Sequence, residues 1–169
     1  VAARHILNRG ARVQVFLAGN PAHFTTAAAL NRDIAVHMGI EVYVLETERD
    51  WDKLQVVLRF TDGIVDGILG TGFQGVLREP VERLVRLVNE TGKPVLSIDI
   101  PTGVEADTGT VASEAIRANI TLTLGLPKLG HLFCPGESCT GKLVVDDIGI
   151  PYQLLGDEGI QQTFLDSAI

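Results

Sequence analysis

The feature that most constrains this fold is a regular alternation of short apolar runs with longer segments of helical periodicity. The runs with strand character lie at residues 12–18, 41–46, 63–69, 94–99, 120–124 and 142–148. The helical patterns lie between them, at residues 25–38, 50–60 and 79–90, with a shorter candidate helix at 113–118. Alternating strands and helices indicate βαβ units. The sequence therefore predicts an α/β domain in which helices cover both faces of a mostly parallel sheet.

Local signals place the ends of the predicted helices. Thr25 or Thr26 is a possible N-cap of the first helix, and Gly39 follows its end. Asp50 is the predicted cap of the second helix, and Pro80 lies in the first turn of the third. From about residue 156 the chain is polar and weakly patterned. We therefore expect one domain over residues 1–155, followed by a tail or the start of a linker.

The composition agrees with one domain and disfavours some classes of binding partner. The chain has 169 residues, of which 46% are hydrophobic, and a formal net charge of −7. This length supports a single core without disulfides, and the negative charge disfavours a nucleic-acid partner. We also expect no membrane span, since no apolar run is long enough. Cys134 and Cys139 lack the spacing of a zinc site, which favours free thiols in a reducing, cytoplasmic compartment.

A glycine-rich segment follows the third strand. Gly70, Gly72 and Gly75 form a G-x-G-x-x-G pattern, and Asp99 lies 24 residues beyond the last of them. This superficially matches the fingerprint of a dinucleotide site. That fingerprint places its third glycine at the start of a helix, whereas the next helix is predicted to begin near Glu79. Two other interpretations of these glycines remain: a turn that needs positive φ, or a loop whose N–H groups face phosphate.

Polar residues at strand ends are the other candidates for chemistry. Asp99 closes an apolar strand, where parallel sheets bind ligands, although it could simply cap local N–H groups. Asp66 lies in an otherwise apolar strand and therefore needs hydrogen bonds or a cation. Its carboxylate and the Thr102 hydroxyl would suit a hard cation. Lys128 follows the fifth strand, where it could neutralise phosphate, donate a proton or remain a solvated surface residue.

Several segments together resemble one known family. They are VDGILGTGFQG, PVLSIDIPTGVEADTG, ANITLTLGLPKLG and GKLVVDDIGIP, and the opening VAARHILNRGARVQVFL matches as well. In order and spacing, from about Val1 to Ile150, they resemble the YjeF N-terminal domain family, whose enzymes are NAD(P)H-hydrate (NAD(P)HX) epimerases. The resemblance implies a Rossmann-like domain that binds NADHX or NADPHX and one potassium ion.

The same resemblance assigns residues to these ligands. It implies that Asp66 and Thr102 bind potassium, with Thr102 in place of the family's serine. Asp99 corresponds to a substrate contact. The implied substrate-binding loop consists of Gly70, Thr71, Gly72, Phe73, Gln74, Gly75 and Val76. Asn119 stands where the family usually has an aspartate.

The implied reaction inverts the hydroxyl at C6 of the hydrated nicotinamide ring. Our hypothesis is that the ring nitrogen expels hydroxide to give an iminium, to which water adds from the opposite face. This needs an acid or base within hydrogen-bond reach of the hydroxyl. Asp99 is the first candidate, and Lys128 is a weaker one for charge stabilisation or proton transfer.

The resemblance also predicts more than this chain contains. The family's Asn-Asn-Gly-Gly-Asp-Gly loop and the strand before it have no counterpart, and the chain starts at Val1 with Met38 as its single methionine. We therefore expect a processed or partial chain, without the first strand of the sheet.

Three alternatives remain open. The domain could be the epimerase half of a bifunctional protein that also carries an ADP- or ATP-dependent dehydratase. It could be a non-catalytic scaffold that binds nucleotides or proteins, or an ordinary dehydrogenase. We expect a homodimer, because dimers are the commonest closed assemblies.

Overall fold

Parallel strands alternate with helices throughout the part of the chain that the computed structural model describes, residues 1–19, 22 and 24–155. The strands are β1 (Gln14–Leu17), β2 (Glu41–Val44), β3 (Ile64–Asp66), β4 (Val95–Ile98), β5 (Ile120–Leu124) and β6 (Lys142–Asp146). The helices are α1 (Ala2–Asn8), α2 (Thr26–His37), α3 (Glu48–Phe60), α4 (Val81–Glu90), α5 (Gly136–Thr140) and α6 (Tyr152–Leu155), and a 3₁₀ turn spans Leu129–His131. The predicted tail, residues 156–169, lies outside the described residues.

The strands form two parallel sheets. β1 pairs with β2, and the other four strands pair in the order β3-β4-β5-β6. Every pairing is parallel, which confirms the predicted α/β class. No described strand pairs with the outer edge of β3, where Val65 is 43% exposed and a cleft lies against α1 and β3–β5. The additional strand implied by the resemblance stays a prediction.

Two apolar clusters form the core. The larger one joins the inner faces of α3 and α4 to the sheet, and its buried side chains are Leu45, Trp51, Leu54, Leu58, Leu77, Leu84, Val85, Val88, Val95 and Ile116. The smaller cluster consists of Ile100, Val104, Ala106 and Ala115, which all belong to the long loop between β4 and β5. This loop is therefore packed as part of the core, so the residues that it carries are held in defined positions.

The helix ends largely follow the predicted signals. The Thr25 side chain caps α2 by accepting a hydrogen bond from the Ala28 N–H at 3.2 Å, as predicted. The predicted cap of α3 is wrong: Thr47 is the N-cap, and Asp50 lies three residues later. The Asp50 carboxylate accepts the Thr47 N–H at 2.7 Å, so the two residues form a capping box.

Two other element predictions need correction. Residues 113–118 are not helical, because neighbouring segments use their backbone groups: Ile116 N–H donates to the Thr102 carbonyl at 2.8 Å, and the Asn89 amide donates to the Ala115 carbonyl at 2.9 Å. The predicted strand over residues 63–69 ends at Asp66. Beyond it the chain turns away from the sheet, and Leu69 N–H donates to the Thr102 side chain.

Candidate active site at the carboxyl edge of the sheet

Asp66, the last residue of β3, is a buried carboxylate with its hydrogen-bonding capacity filled. Its side chain is only 3% exposed. Oδ2 accepts hydrogen bonds from Ser97 Oγ and from the Thr102 N–H, each at 2.9 Å. Oδ1 accepts the Thr102 hydroxyl at 2.7 Å and the Ile68 N–H at 3.4 Å. These four donors match the four lone-pair positions of the carboxylate group.

Sheet register and a tight turn bring these donors together. Asp66 lies directly opposite Ser97 in the β3–β4 pairing, so both side chains project from the same face. The turn at Pro101, Thr102 and Gly103 then brings Thr102 back over the end of the strand. Gly103 has φ +98, and a Cβ there would lie 2.3 Å from the Glu114 carbonyl oxygen. Only glycine fits this close approach.

The glycine-rich loop projects from this cluster. Residues 70–76 are exposed except for the half-buried Phe73, and α4 begins only at Val81. Gly75 therefore lies outside the helix start, which argues against the ordinary dehydrogenase fingerprint. The loop is fixed at its base by a hydrogen bond from Leu69 N–H to Thr102 Oγ1 at 3.1 Å. Further along, the Gly75 N–H donates to Glu105 Oε1 at 2.8 Å.

Asp99 and Lys128 form an ion pair at the ends of the neighbouring strands β4 and β5. Lys128 Nζ donates to Asp99 Oδ1, to Thr123 Oγ1 at 2.8 Å and to the Leu124 carbonyl at 2.9 Å. All three N–H groups of the ammonium are therefore used. Asp99 Oδ1 also accepts the Leu124 N–H at 3.2 Å. Within the described part of the chain, Asp99 Oδ2 has no hydrogen-bond partner.

The environment of Asp99 keeps its carboxylate charged. Burial by itself raises the pKa of Asp99, but the hydrogen bonds from Lys128 and Leu124 and the positive charge of Lys128 together hold this pKa below its ordinary value. Asp99 is also the one described non-glycine residue with positive φ, at +70°. Such a conformation costs about 1–3 kcal/mol and is concentrated at functional sites.

The site thus has a loop, a buried anchor and a charged pair at one edge of a parallel sheet, the edge at which such folds bind ligands. The family model for the YjeF-related protein N-terminus matches residues 1–130. The chain belongs to this family. Among the described residues of this YjeF-N chain, no helix is long and apolar enough to span a membrane.

Curated relatives extend beyond the YjeF-N domain. Over 168 residues the chain is 38% identical to a protein of Moorella thermoacetica named "Bifunctional NAD(P)H-hydrate repair enzyme Nnr", and it covers 32% of that protein. It is 40% identical over 161 residues to a protein of the same name from Thermofilum pendens, covering 30% of it. These alignments include 99% and 95% of this chain, which thus spans about a third of the relatives' length.

A solved structure confirms the fold. The crystal structure of yeast ynu0 (YNL200c) superimposes with a TM-score of 0.70 over 85% of this chain and 57% of the yeast chain. The two sequences are 22% identical, so this likeness concerns the YjeF-N fold alone.

The structure brings together the residues that the sequence singled out, in two groups. Asp66 contacts Thr102, and Asp99 contacts Lys128. The predicted loop of residues 70–76 adjoins the first group through Leu69. Asn119, by contrast, is structural: its side chain accepts the Val95 N–H at 2.8 Å.

Three residues of the candidate site were missed from the sequence. Ser97 could have been found as a polar residue in an apolar strand, one strand across from Asp66. Glu105 contacts the loop at Gly75, and His131 contacts both Asp99 and Lys128. No sequence pattern joins Glu105 to Gly75 or His131 to Asp99, because each of these two contacts connects segments that are about 30 residues apart in sequence.

Proposed function

We propose that this YjeF-N domain is an isomerase that interconverts the R and S forms of NADHX and NADPHX at C6 of the nicotinamide ring. The observation that carries the proposal is the ionisation and hydrogen bonding of the Asp99 carboxylate. Its carboxylate is held ionised, and one oxygen is fixed by Lys128 and Leu124. The other oxygen, at the ligand-binding edge of the sheet, has no hydrogen-bond partner among the residues that the structure describes. A positioned base of this kind is what addition of water to an iminium requires.

The chemistry follows from the substrate. The lone pair of the ring nitrogen forms the C=N bond as the C6–O bond breaks, and hydroxide leaves. Water then adds to C6 from the opposite face, while Asp99 Oδ2 accepts its proton. That proton later neutralises the released hydroxide, so that the sum of the steps is inversion at C6 alone. Lys128 stabilises the charged carboxylate, since its three N–H groups are already used.

The loop of residues 70–76 is the proposed substrate-binding segment. It is exposed at the same edge, and its glycines let backbone N–H groups approach a phosphate closely. Its Phe73, Gln74 and Val76 line a cleft that continues toward Arg78. A dinucleotide bound along this loop would therefore extend beyond the ring that reacts at Asp99.

Potassium is a further part of the proposal. Asp66 and Thr102 present oxygen atoms of the kind that a hard cation prefers, and within the described residues no lysine or arginine forms an ion pair with Asp66. In the structure these oxygens are hydrogen-bonded to each other at 2.7 Å. Coordination would require the Thr102 hydroxyl proton to rotate away from Asp66. A bound ion would supply positive charge and fix the loop through Thr102, which accepts the Leu69 N–H.

The relatives suggest how the activity is placed in a longer protein. They are named as bifunctional NAD(P)H-hydrate repair enzymes, and this chain aligns with about a third of their length. We propose that the YjeF-N part performs the epimerisation in such a protein. An ADP- or ATP-dependent dehydratase activity would then lie in the remaining part.

A single-epimer assay tests the function. Purified protein is incubated with either separated epimer of NADHX, without ADP or ATP, and the C6 signals are followed by NMR. We expect both epimers to reach the same mixture much faster than without protein. A protein that binds NADHX but leaves the uncatalysed rate unchanged would support the scaffold alternative and contradict the proposal.

A further inference from the structure

His131 lies behind the Asp99–Lys128 pair and contacts the backbone of both residues. It ends the 3₁₀ turn after Lys128, and it is 2% exposed. Its Nε2 lies 2.8 Å from the Asp99 carbonyl oxygen, and its Nδ1 lies 3.0 Å from the Lys128 backbone nitrogen. The imidazole therefore bridges the backbones of two residues that are 29 positions apart in sequence.

These two contacts specify one form of the imidazole. A carbonyl oxygen can only accept, so Nε2 must carry hydrogen, and a backbone N–H can only donate, so Nδ1 must carry the lone pair. The neutral Nε2–H tautomer satisfies both. Burial, followed by the charge of Lys128, lowers the pKa of His131 and outweighs the opposite effects of the Asp99 carbonyl and carboxylate. The ring is thus neutral at physiological pH.

The His131 bridge contacts Asp99, whose backbone has an unfavourable conformation. Asp99 has φ +70, a conformation that a non-glycine residue keeps only when its surroundings fix it. The 3₁₀ turn that carries His131 is itself fixed, because Gly130 N–H donates to the Ala106 carbonyl at 2.7 Å. A Cβ at Gly130 would lie 2.4 Å from the Glu105 carbonyl oxygen, so the turn packs directly on the loop after β4.

We propose that His131 is a positioning residue of the epimerase site. Its neutral imidazole holds the Asp99 backbone in the left-handed conformation and fixes the backbone of Lys128, so that the Lys128 ammonium meets Oδ1 and Oδ2 remains directed at the substrate. His131 makes no contact with the substrate itself. The inference rests on the proposed role of Asp99 as the base.

Two substitutions separate positioning from simple packing. His131→Leu keeps apolar volume but removes the donor and the acceptor, whereas the amide of His131→Gln supplies one of each. We expect His131→Leu to lower kcat about ten- to hundredfold with little change in KM, because the base is misplaced while the loop is intact. His131→Gln should recover most of the lost kcat. His37→Leu, on an exposed position of α2, is the matched control and should leave kcat unchanged.

Carboxyl ¹³C NMR of Asp99 provides a readout that does not depend on activity. In His131→Leu we expect the pKa of Asp99 to rise, because a displaced Lys128 no longer opposes burial. Equal kcat and equal Asp99 titration in wild type and His131→Leu would overturn the proposal. If wild type fails to epimerise NADHX, the proposed function falls, and the Asp99 titration alone decides the positioning role.

The tautomer gives a test on the wild-type protein, which remains decisive if His131→Leu does not fold. We expect ¹⁵N spectra at pH 7.5 to show a neutral His131 ring with hydrogen on Nε2, since its pKa lies below the ordinary value. An imidazolium, or a ring with hydrogen on Nδ1, cannot make both contacts and would overturn the proposal.

Discussion

Thr102 donates its hydroxyl hydrogen to one oxygen of Asp66 at 2.7 Å and its backbone N–H to the other oxygen at 2.9 Å. The same hydroxyl accepts the Leu69 N–H from the base of the glycine-rich loop. The loop after β3 and the loop after β4 are thereby joined through one buried carboxylate. This connection is the structural basis of the candidate site.

Asp66→Asn should destabilise the fold. The Asn amide would direct its own N–H groups at donors from Ser97 and Thr102, so that buried donors lose their acceptor. We expect a loss of about 1–3 kcal/mol in the free energy of unfolding, measured by urea denaturation. Asp62→Asn, at an exposed position, is the control and should change stability by less than about 0.5 kcal/mol. Equal effects of the two substitutions would show that Asp66 is not the anchor.

Potassium should stabilise the folded protein if Asp66 and Thr102 bind it. We expect Tm to increase with KCl concentration more than with tetramethylammonium chloride at equal ionic strength, because a ligand that binds only the folded state stabilises it. The potassium-specific increase should disappear in Asp66→Asn. Identical Tm curves for both salts in wild type would contradict the potassium site.

Lys128→Met should shift the acid limit of activity. Lys128 opposes the effect of burial on Asp99, so its removal raises the pKa of Asp99 and protonates the base at a higher pH. In the rate profile, the acid limb of kcat/KM should therefore move to higher pH. Lys142→Met, at an exposed position of β6, should leave the limb in place. If the acid limb of Lys128→Met coincided with that of wild type, Lys128 would not influence the ionisation of Asp99.

The lowered pKa of Asp99 also predicts how stability depends on pH. A carboxyl group with a lower pKa in the folded state contributes stability that is fully present above its ordinary pKa of 3.8. This contribution is lost as pH falls through the lowered value. Between pH 5 and pH 2, the free energy of unfolding, measured by urea denaturation, should fall less in Asp99→Asn than in wild type. An equal fall in both proteins would indicate that the pKa of Asp99 is not lowered.

Glu105→Ala should weaken substrate binding more than it slows chemistry. Glu105 holds the Gly75 N–H from across the site, and without it the loop must be ordered by the substrate. We expect KM to rise about fivefold with kcat nearly unchanged. Glu105→Gln retains an oxygen acceptor and should stay close to wild type. A fall in kcat with constant KM would instead place Glu105 in the chemical step.

The sequence was sufficient to predict the six strands and the helices α2, α3 and α4, but not the short helices α5 and α6. Strand and helix positions depend on local periodicity, and parallel pairing follows from their alternation, so β5 was predicted residue for residue and α2 together with its Thr25 cap. The helix expected at residues 113–118 failed because a tertiary partner, Asn89, binds the backbone of this segment. Secondary-structure propensity depends on neighbouring residues and does not include hydrogen bonds from a residue so far away in sequence.

The candidate site was predictable where it depends on strand ends. Asp66 ends β3 and Asp99 directly follows the neighbouring β4, so their placement at one edge follows from topology alone. The positive φ of Asp99 and the contacts of Glu105 and His131 depend instead on how loops pack against each other. That packing is fixed by close approaches at glycines such as Gly103 and Gly130, which the sequence shows only as glycines.

The rate of inversion of one pure NADHX epimer by wild type and by Asp99→Asn tests the central claim most directly. Asparagine keeps the shape of the side chain but cannot accept the proton from water. The account predicts that wild type brings either epimer to a common mixture, and that Asp99→Asn, folded to the same extent, is slower by about 10²–10⁴-fold. Inversion by Asp99→Asn at the wild-type rate would contradict it.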